Sequence, residues 1–83
     1  MIILEINIDL DIEELQRAIN YIKGVTGIHN YHVWSISPEE HALMVHVVFS
    51  QKHDKKNFYR KFEYLMKKYE IKHYTVQLED SEE

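Results

Sequence analysis

Between Ile12 and Leu78 the spacing of the apolar residues changes from helical to alternating, then repeats that change. Ile12, Leu15, Ile19 and Ile22 recur every three or four residues, the interval at which side chains share one helix face. Leu43, Val45, Val47 and Phe49 recur every second residue, the interval of one strand face. Phe58, Phe62, Leu65 and Tyr69 return to helical spacing, and Tyr74, Val76 and Leu78 to alternation. A short chain with this pattern is restricted to helices packed on a sheet.

The segment "DIEELQRAINYIKG" reads as the first helix. Asp9 or Asp11 caps it, Glu13 and Glu14 face its electropositive first turn, and Gly24 stops it. Strands follow at about Ile28–Ile36 and Ala42–Phe49, joined by "SPEEH" with Pro38 in the second position of a turn. A second helix covers Asp54–Tyr69 and a last strand Ile71–Glu79. The opening "MIILEINI" is partly alternating and reads as a first strand or an extended arm. The order is (β)αββαβ. The expected fold is α+β: a ferredoxin-like sandwich with two helices on one face of a three- or four-stranded sheet. Many unrelated functions use it.

Length and composition bound what such a fold can do here. The 83 residues suit one domain, 1–83, with the acidic end 80–83 expected to fray. A domain this small buries only about 60% of its unfolded surface, so a partner or ligand bears on its stability. The net charge of −4 is spread over both signs, which argues against nucleic acid as a partner. Cysteine is absent, which removes disulfides, thiolate metal sites and cysteine nucleophiles. No apolar run reaches the roughly 20 residues of a membrane helix, so no direct membrane insertion is expected. The first residues are too acidic and too short for a signal peptide, and a cytoplasmic location fits.

Alternation predicts what each sheet face carries. With Tyr31 and Val33 turned to the core, His32, Trp34 and Ile36 share the face without helices. Ala42, Met44, His46 and Val48 join them, as do Gln77 and Glu79. Trp34, Ile36 and Met44 would form an apolar patch that is unusual on a small monomer and suited to a second copy of the chain.

The same face offers metal ligands, each with a plainer reading beside it. His29 and His46 supply imidazole nitrogen, or are ordinary hydrogen-bonded histidines. Glu79 and Gln77 supply oxygen, or are the solvated face of an edge strand. His53 precedes the second helix beside Asp54, as a ligand or as part of the cap. His41 and His73 read as solvent-facing. Imidazoles with a carboxylate suit zinc or a similar divalent ion. No compact local motif joins these residues, so any site must be assembled by the fold. No nucleophile elbow, phosphate loop or carboxylate pair points to an enzyme.

Two stretches carry a resemblance in three successive patterns: "GVTGIHNYHVWSISPEEHALMVHVVF", which holds a G-V-x-G-V-H-D-L-H-V-W-S-like segment and an A-x-x-x-H-V segment with mid-strand His46, and "EIKHYTVQLE", which holds an H-x-T-I-Q-L-E-like ending. Together they resemble the C-terminal cytoplasmic domain of cation diffusion facilitators, metal/proton antiporters that export zinc and related ions. The resemblance covers nearly the whole chain. It implies the ferredoxin-like fold, homodimerisation, and a divalent metal at or near the dimer interface that tightens the dimer and favours transport. Carried over by position, it implies His29, His46 and Glu79 as ligands. Gln77 stands where many bacterial members have histidine, which implies a weaker hold on the ion. His53 falls about a turn before the position where family members place a histidine in the second helix, nearer Asn57. Asn30 stands where the family has aspartate. His32 and Trp34 belong to its H-V-W signature and are expected to shape strand and interface. The membrane half, where transport takes place, is missing. The chain then serves as a domain of a transporter or as a stand-alone relative.

Three functions compete at this level: a metal-sensing dimerisation module, a metal-independent dimerisation or docking module, and a small soluble metal carrier. A carrier usually exposes a thiolate, and this chain has no cysteine. Geometry adds one requirement. A strand inserted between the third and last strands would hold His46 and Glu79 roughly 9.6 Å apart at the backbone, against roughly 4.8 Å for neighbours. The first segment must therefore stay outside that gap, or the ligands must come from two subunits.

Overall fold

The structure is a computed structural model that describes residues 11–81. The expected strand in "MIILEINI" lies outside the described residues. The elements are α1 (Ile12–Asn20), β1 (Val25–Ser37), β2 (Glu40–Phe49), α2 (Lys55–Lys68) and β3 (Ile71–Asp80). The strands form one sheet in the order β1-β2-β3, with β1 antiparallel and β3 parallel to β2. β1 and β2 are adjacent in sequence and need only the Pro38-Glu39 turn. The parallel pair needs a long crossover, which α2 supplies. The α+β sandwich read from the sequence is therefore present, with three strands among the described residues.

Local chemistry sets the helix ends. The Asp11 carboxylate accepts from the Glu14 amide at 3.0 Å, and Asp54 accepts from the Lys56 amide at 3.0 Å. After α1 the chain reverses through Gly24 at φ 100°, a conformation open to glycine and strained for other residues. A side chain there would also strike the Phe49 ring and His53.

Both helices cover one sheet face. Leu15, Ile19 and Ile22 of the first helical stretch meet Leu43, Val45, Val47 and Phe49 of β2, and Phe58, Phe62 and Met66 of α2. Two positions differ from the sequence reading. Ile12 is 37% exposed, at the open end of α1. In α2 the deepest row is Phe58, Phe62 and Met66, a line of four-residue steps, while Leu65 and Tyr69 flank it half-buried. Of the acidic end, residues 80 and 81 are described. Asp80 pairs with Phe49, and the Ser81 amide donates to the Phe49 carbonyl at 3.0 Å.

β1 is the irregular strand. Its 13 residues run beside the 10 of β2, with register shifts at Val25/Gly27, His29/His32 and Ser35/Ser37. Each shift inserts one extra residue on β1, which makes it a bulge. The central one falls at Asn30, whose φ is 55°. Asparagine tolerates this left-handed region better than most residues. The bulge changes which side chains share a face. Ile28 packs against the core together with Tyr31 and Val33, although 28 and 31 differ in parity. His29 therefore turns to the open face together with His32 and Trp34.

Candidate metal centre

The open face has an apolar end and a polar end. At the apolar end Trp34 is 42% and Ile36 54% exposed, with Met44 half-buried beside them. Ala42 lies between Trp34 and His73 in the register and is itself buried. At the polar end His29 stands opposite His46 in the β1–β2 pair. On the other side of β2, Gln77 stands opposite His46 and Glu79 opposite Val48.

Glu79 reaches diagonally across β2 to both imidazoles. His29 Nε2 lies 2.7 Å from Glu79 Oε1, and His46 Nδ1 lies 3.0 Å from Glu79 Oε2. The two rings meet edge to face with centroids 5.4 Å apart. One ligand atom from each of His29, His46 and Glu79 lies within 4.8 Å of the others. The side chains are 48%, 24% and 33% exposed, so an ion can enter from solvent without the fold opening. At such exposure, ion-pair contacts contribute about 0–1 kcal/mol to folding. The cluster therefore adds little to the stability of the domain alone.

The donor set fits a small divalent cation. Two imidazole nitrogens and a carboxylate oxygen are ligands that zinc takes at about 2.0–2.2 Å. Tetrahedral donors at that radius sit about 3.3–3.5 Å apart. The 2.7 and 3.0 Å contacts would open by about 0.3–0.8 Å, within reach of side-chain torsions. Three protein donors leave a fourth position for water or for a group of a second copy.

The remaining candidates separate. Gln77 is exposed beside His46 on the open face, near the cluster but outside its contacts. His53 is elsewhere: its ring lies edge-on to Phe49 at 6.5 Å, over the helix-covered side of the sheet. The structure does not bring it to His29, His46 and Glu79, because it precedes the Asp54 cap of α2 and packs against the buried Phe49. His41 pairs with Ser35 Oγ at 3.1 Å, and exposed His73 lies 3.7 Å from Glu40. His32 is exposed on the open face beside Met44.

Asn30 is the residue whose part sequence reasoning missed. Its amide nitrogen lies 3.4 Å from His29 Nδ1 and 3.3 Å from His46 Nδ1. As a substitute for aspartate it reads as a lost ligand, whereas in the fold it sits between the two rings. The signal was the apolar spacing: Ile28 and Tyr31 face the core together only if a residue bulges between them.

Comparison with known proteins agrees with this architecture. Residues 8–81 match the family described as the cytoplasmic domain of cation efflux proteins. The zinc transporter ZitB of Escherichia coli (strain K12) is 35% identical over 74 residues, covering 87% of this chain and 23% of that protein. The cadmium, cobalt and zinc/H(+)-K(+) antiporter of Bacillus subtilis (strain 168) is 31% identical over 74 residues, 86% of this chain and 24% of that protein. The chain thus spans less than a quarter of the length of these relatives. The metal-bound C-terminal domain of the CzcD transporter from Cuprividus metallidurans superposes with a TM-score of 0.74 at 28% identity, covering 84% of this chain and 99% of that one. No helix among the described residues is long and apolar enough to cross a membrane. With the sheet order, the helix placement and the match over residues 8–81 in agreement, the chain belongs to the family of cation efflux protein cytoplasmic domains.

Proposed function

We propose that this chain is a metal-responsive dimerisation domain in the cytoplasm that serves a cation efflux transporter and binds a divalent cation, zinc, through His29, His46 and Glu79. The observation that carries this reading is the convergence of those three side chains on the uncovered sheet face. The apolar residues Trp34, Ile36 and Met44 lie on the same face, so ligands and contact surface are continuous. His29, now hydrogen-bonded to Glu79 Oε1, and His46, 3.0 Å from Glu79 Oε2, would hold the ion through ring nitrogens. The Glu79 carboxylate would supply the oxygen ligand and offset part of the ion's charge. A group from a second copy, or a water, completes the shell, and joining two copies there would couple metal binding to dimer strength. Gln77, beside His46, is available as a weak further oxygen donor. His53 has no part in this site. No catalytic step is assigned: the domain acts by binding, and transport itself would take place in a membrane partner.

A second reading keeps the dimer and discards the metal. The exposed Trp34 and Ile36 support it, because such a patch drives association without an ion. Calorimetric titration with zinc, combined with sedimentation of the same samples, separates the two. Zinc binding that strengthens the dimer supports the first reading. A dimer indifferent to zinc, with no heat of binding, supports the second.

A further inference from the structure

We propose that the outer face of α2, where Lys56, Arg60 and Lys67 surround the exposed Tyr64, rests against an anionic lipid surface. The choice of lipid as the partner rests on the transporter reading above, which puts a membrane beside this domain.

Charge is sorted along the chain. Residues 51–72 hold eight of its ten lysines and arginines and only three of its fourteen acidic residues. A protein that is acidic as a whole therefore carries one basic element. Within α2 six residues are cationic and Glu63 alone is acidic. Lys56, Arg60 and Lys67 lie four and seven residues apart, on the side of the helix opposite the buried Phe58, Phe62 and Met66 row. Tyr64 lies among them and is 64% exposed. Its neighbours three and four residues away on either side are all cations. Among the described residues the ion pairs join histidines to carboxylates, and none engages a lysine or arginine. The acidic first turn of α1 does not neutralise this face. Glu14 acts on Tyr69, at the half-buried edge of α2 where Leu65 also lies, and the Lys56, Arg60 and Lys67 line looks away from that edge. Acidic groups farther than about 8 Å are largely screened at physiological salt.

The shape of the face suits a lipid surface. From Lys56 to Lys67 the helix axis advances about 17 Å, so the cations form a line that can lie flat on headgroups. Each lysine or arginine near an anionic surface raises affinity about fivefold. The Tyr64 ring and hydroxyl match the mixed polarity of the headgroup layer. The apolar side of α2 is committed to the core, so the contact is electrostatic adsorption without insertion. For a domain held beside the membrane by its transport partner, such a weak contact is enough, because tethering raises the effective concentration. The consequence is an orientation. α2 covers one sheet face and the His29, His46 and Glu79 cluster lies on the other, so adsorption through α2 leaves the cluster open to ions and to a second copy.

The test titrates the zinc-free chain with vesicles of phosphatidylglycerol or of phosphatidylcholine, at about 0.05 M and about 0.3 M salt, and measures the fraction that sediments with the vesicles. Expected is binding to phosphatidylglycerol at the lower salt, at least about tenfold weaker binding at the higher salt, and none to phosphatidylcholine. The double variant Arg60→Gln/Lys67→Gln should bind about 25-fold more weakly. Arg17→Gln/Lys23→Gln, with the same net charge, should bind as the wild type does, and circular dichroism verifies that both variants are folded. No binding to phosphatidylglycerol, equal binding to both lipids, or equal losses in the two variants overturns the proposal. Binding to a polyglutamate peptide or an RNA oligonucleotide without binding to phosphatidylglycerol overturns it in favour of that partner. Zinc is absent throughout, so none of these results bears on the metal site, and a chain that binds no zinc leaves them unchanged.

Discussion

Glu79 reaches His46 from the neighbouring parallel strand, two residues along from Gln77, the register partner of His46, and lies 3.0 Å from its Nδ1. This contact exists because β2 and β3 pair directly, Val45 with Val76 and Val47 with Leu78. The backbones are then about 4.8 Å apart, close enough for one subunit to bring both side chains to one ion. Among the described residues no strand separates β2 from β3, which is the spacing that sharing an ion within one subunit requires.

The site should respond selectively to loss of its ligands. Zinc at about 100 times its dissociation constant should stabilise a domain that binds it only when folded by about 2.7 kcal/mol. His46→Ala should lose most of that gain. His41→Ala should keep it, because His41 pairs with Ser35 away from the cluster. Thermal melts with and without zinc measure both, and equal zinc stabilisation of the two variants would remove the site.

Association should depend on the apolar end of the open face. The chain is expected to sediment as a homodimer at micromolar concentration. Trp34→Glu should shift it to monomer, since it places a charge where 42% of a tryptophan is exposed. Monomer alone in the wild type, with and without zinc, would count decisively against the dimer.

Zinc binding should weaken on acidification. An imidazole must be neutral to donate its lone pair, so protons compete with the ion and are released when it binds. Calorimetry between about pH 7.5 and pH 5.5, in buffers of different ionisation enthalpy, should show affinity falling with pH and protons leaving on binding. Affinity independent of pH would exclude the histidines as ligands.

Tyr31 should make the fold sensitive to alkali. Its hydroxyl donates to the Ile12 carbonyl at 2.8 Å and ties β1 to the start of α1. Burial foremost, then the Asp11 carboxylate and Tyr69, push its pKa well above the ordinary 10.0. A raised value means that the fold favours the protonated phenol. This contribution is complete below about pH 10 and is lost as pH rises beyond it toward the folded value. Tyr31→Phe should cost about 1 kcal/mol near neutrality. It should also lose less stability than the wild type between about pH 8 and pH 11, as measured by urea unfolding. Parallel losses would refute the assignment.

Much of this protein is written locally. The two apolar periods, the carboxylates at Asp11 and Asp54 and the glycine at 24 define α1, α2 and the strands, because caps and periodicity act within a few residues. Alternation also placed His46, Glu79, Trp34 and Met44 on one face, since β2 and β3 hold their pleat there. His29 was different. Counting in twos along β1 puts it with Tyr31 and Val33, toward the core, yet it lies beside His46. The extra residue at Asn30 reverses its side, and a bulge is a property of the register between two strands rather than of either strand alone. The direct β2–β3 pairing is likewise decided between segments far apart in sequence, by how α2 packs its Phe58, Phe62 and Met66 row on the sheet. The sequence by itself therefore supplied the ligand types and most of their faces. Only the tertiary pairing brought His29 and Glu79 within 2.7 Å, because cross-strand register sets distance and local alternation sets only direction.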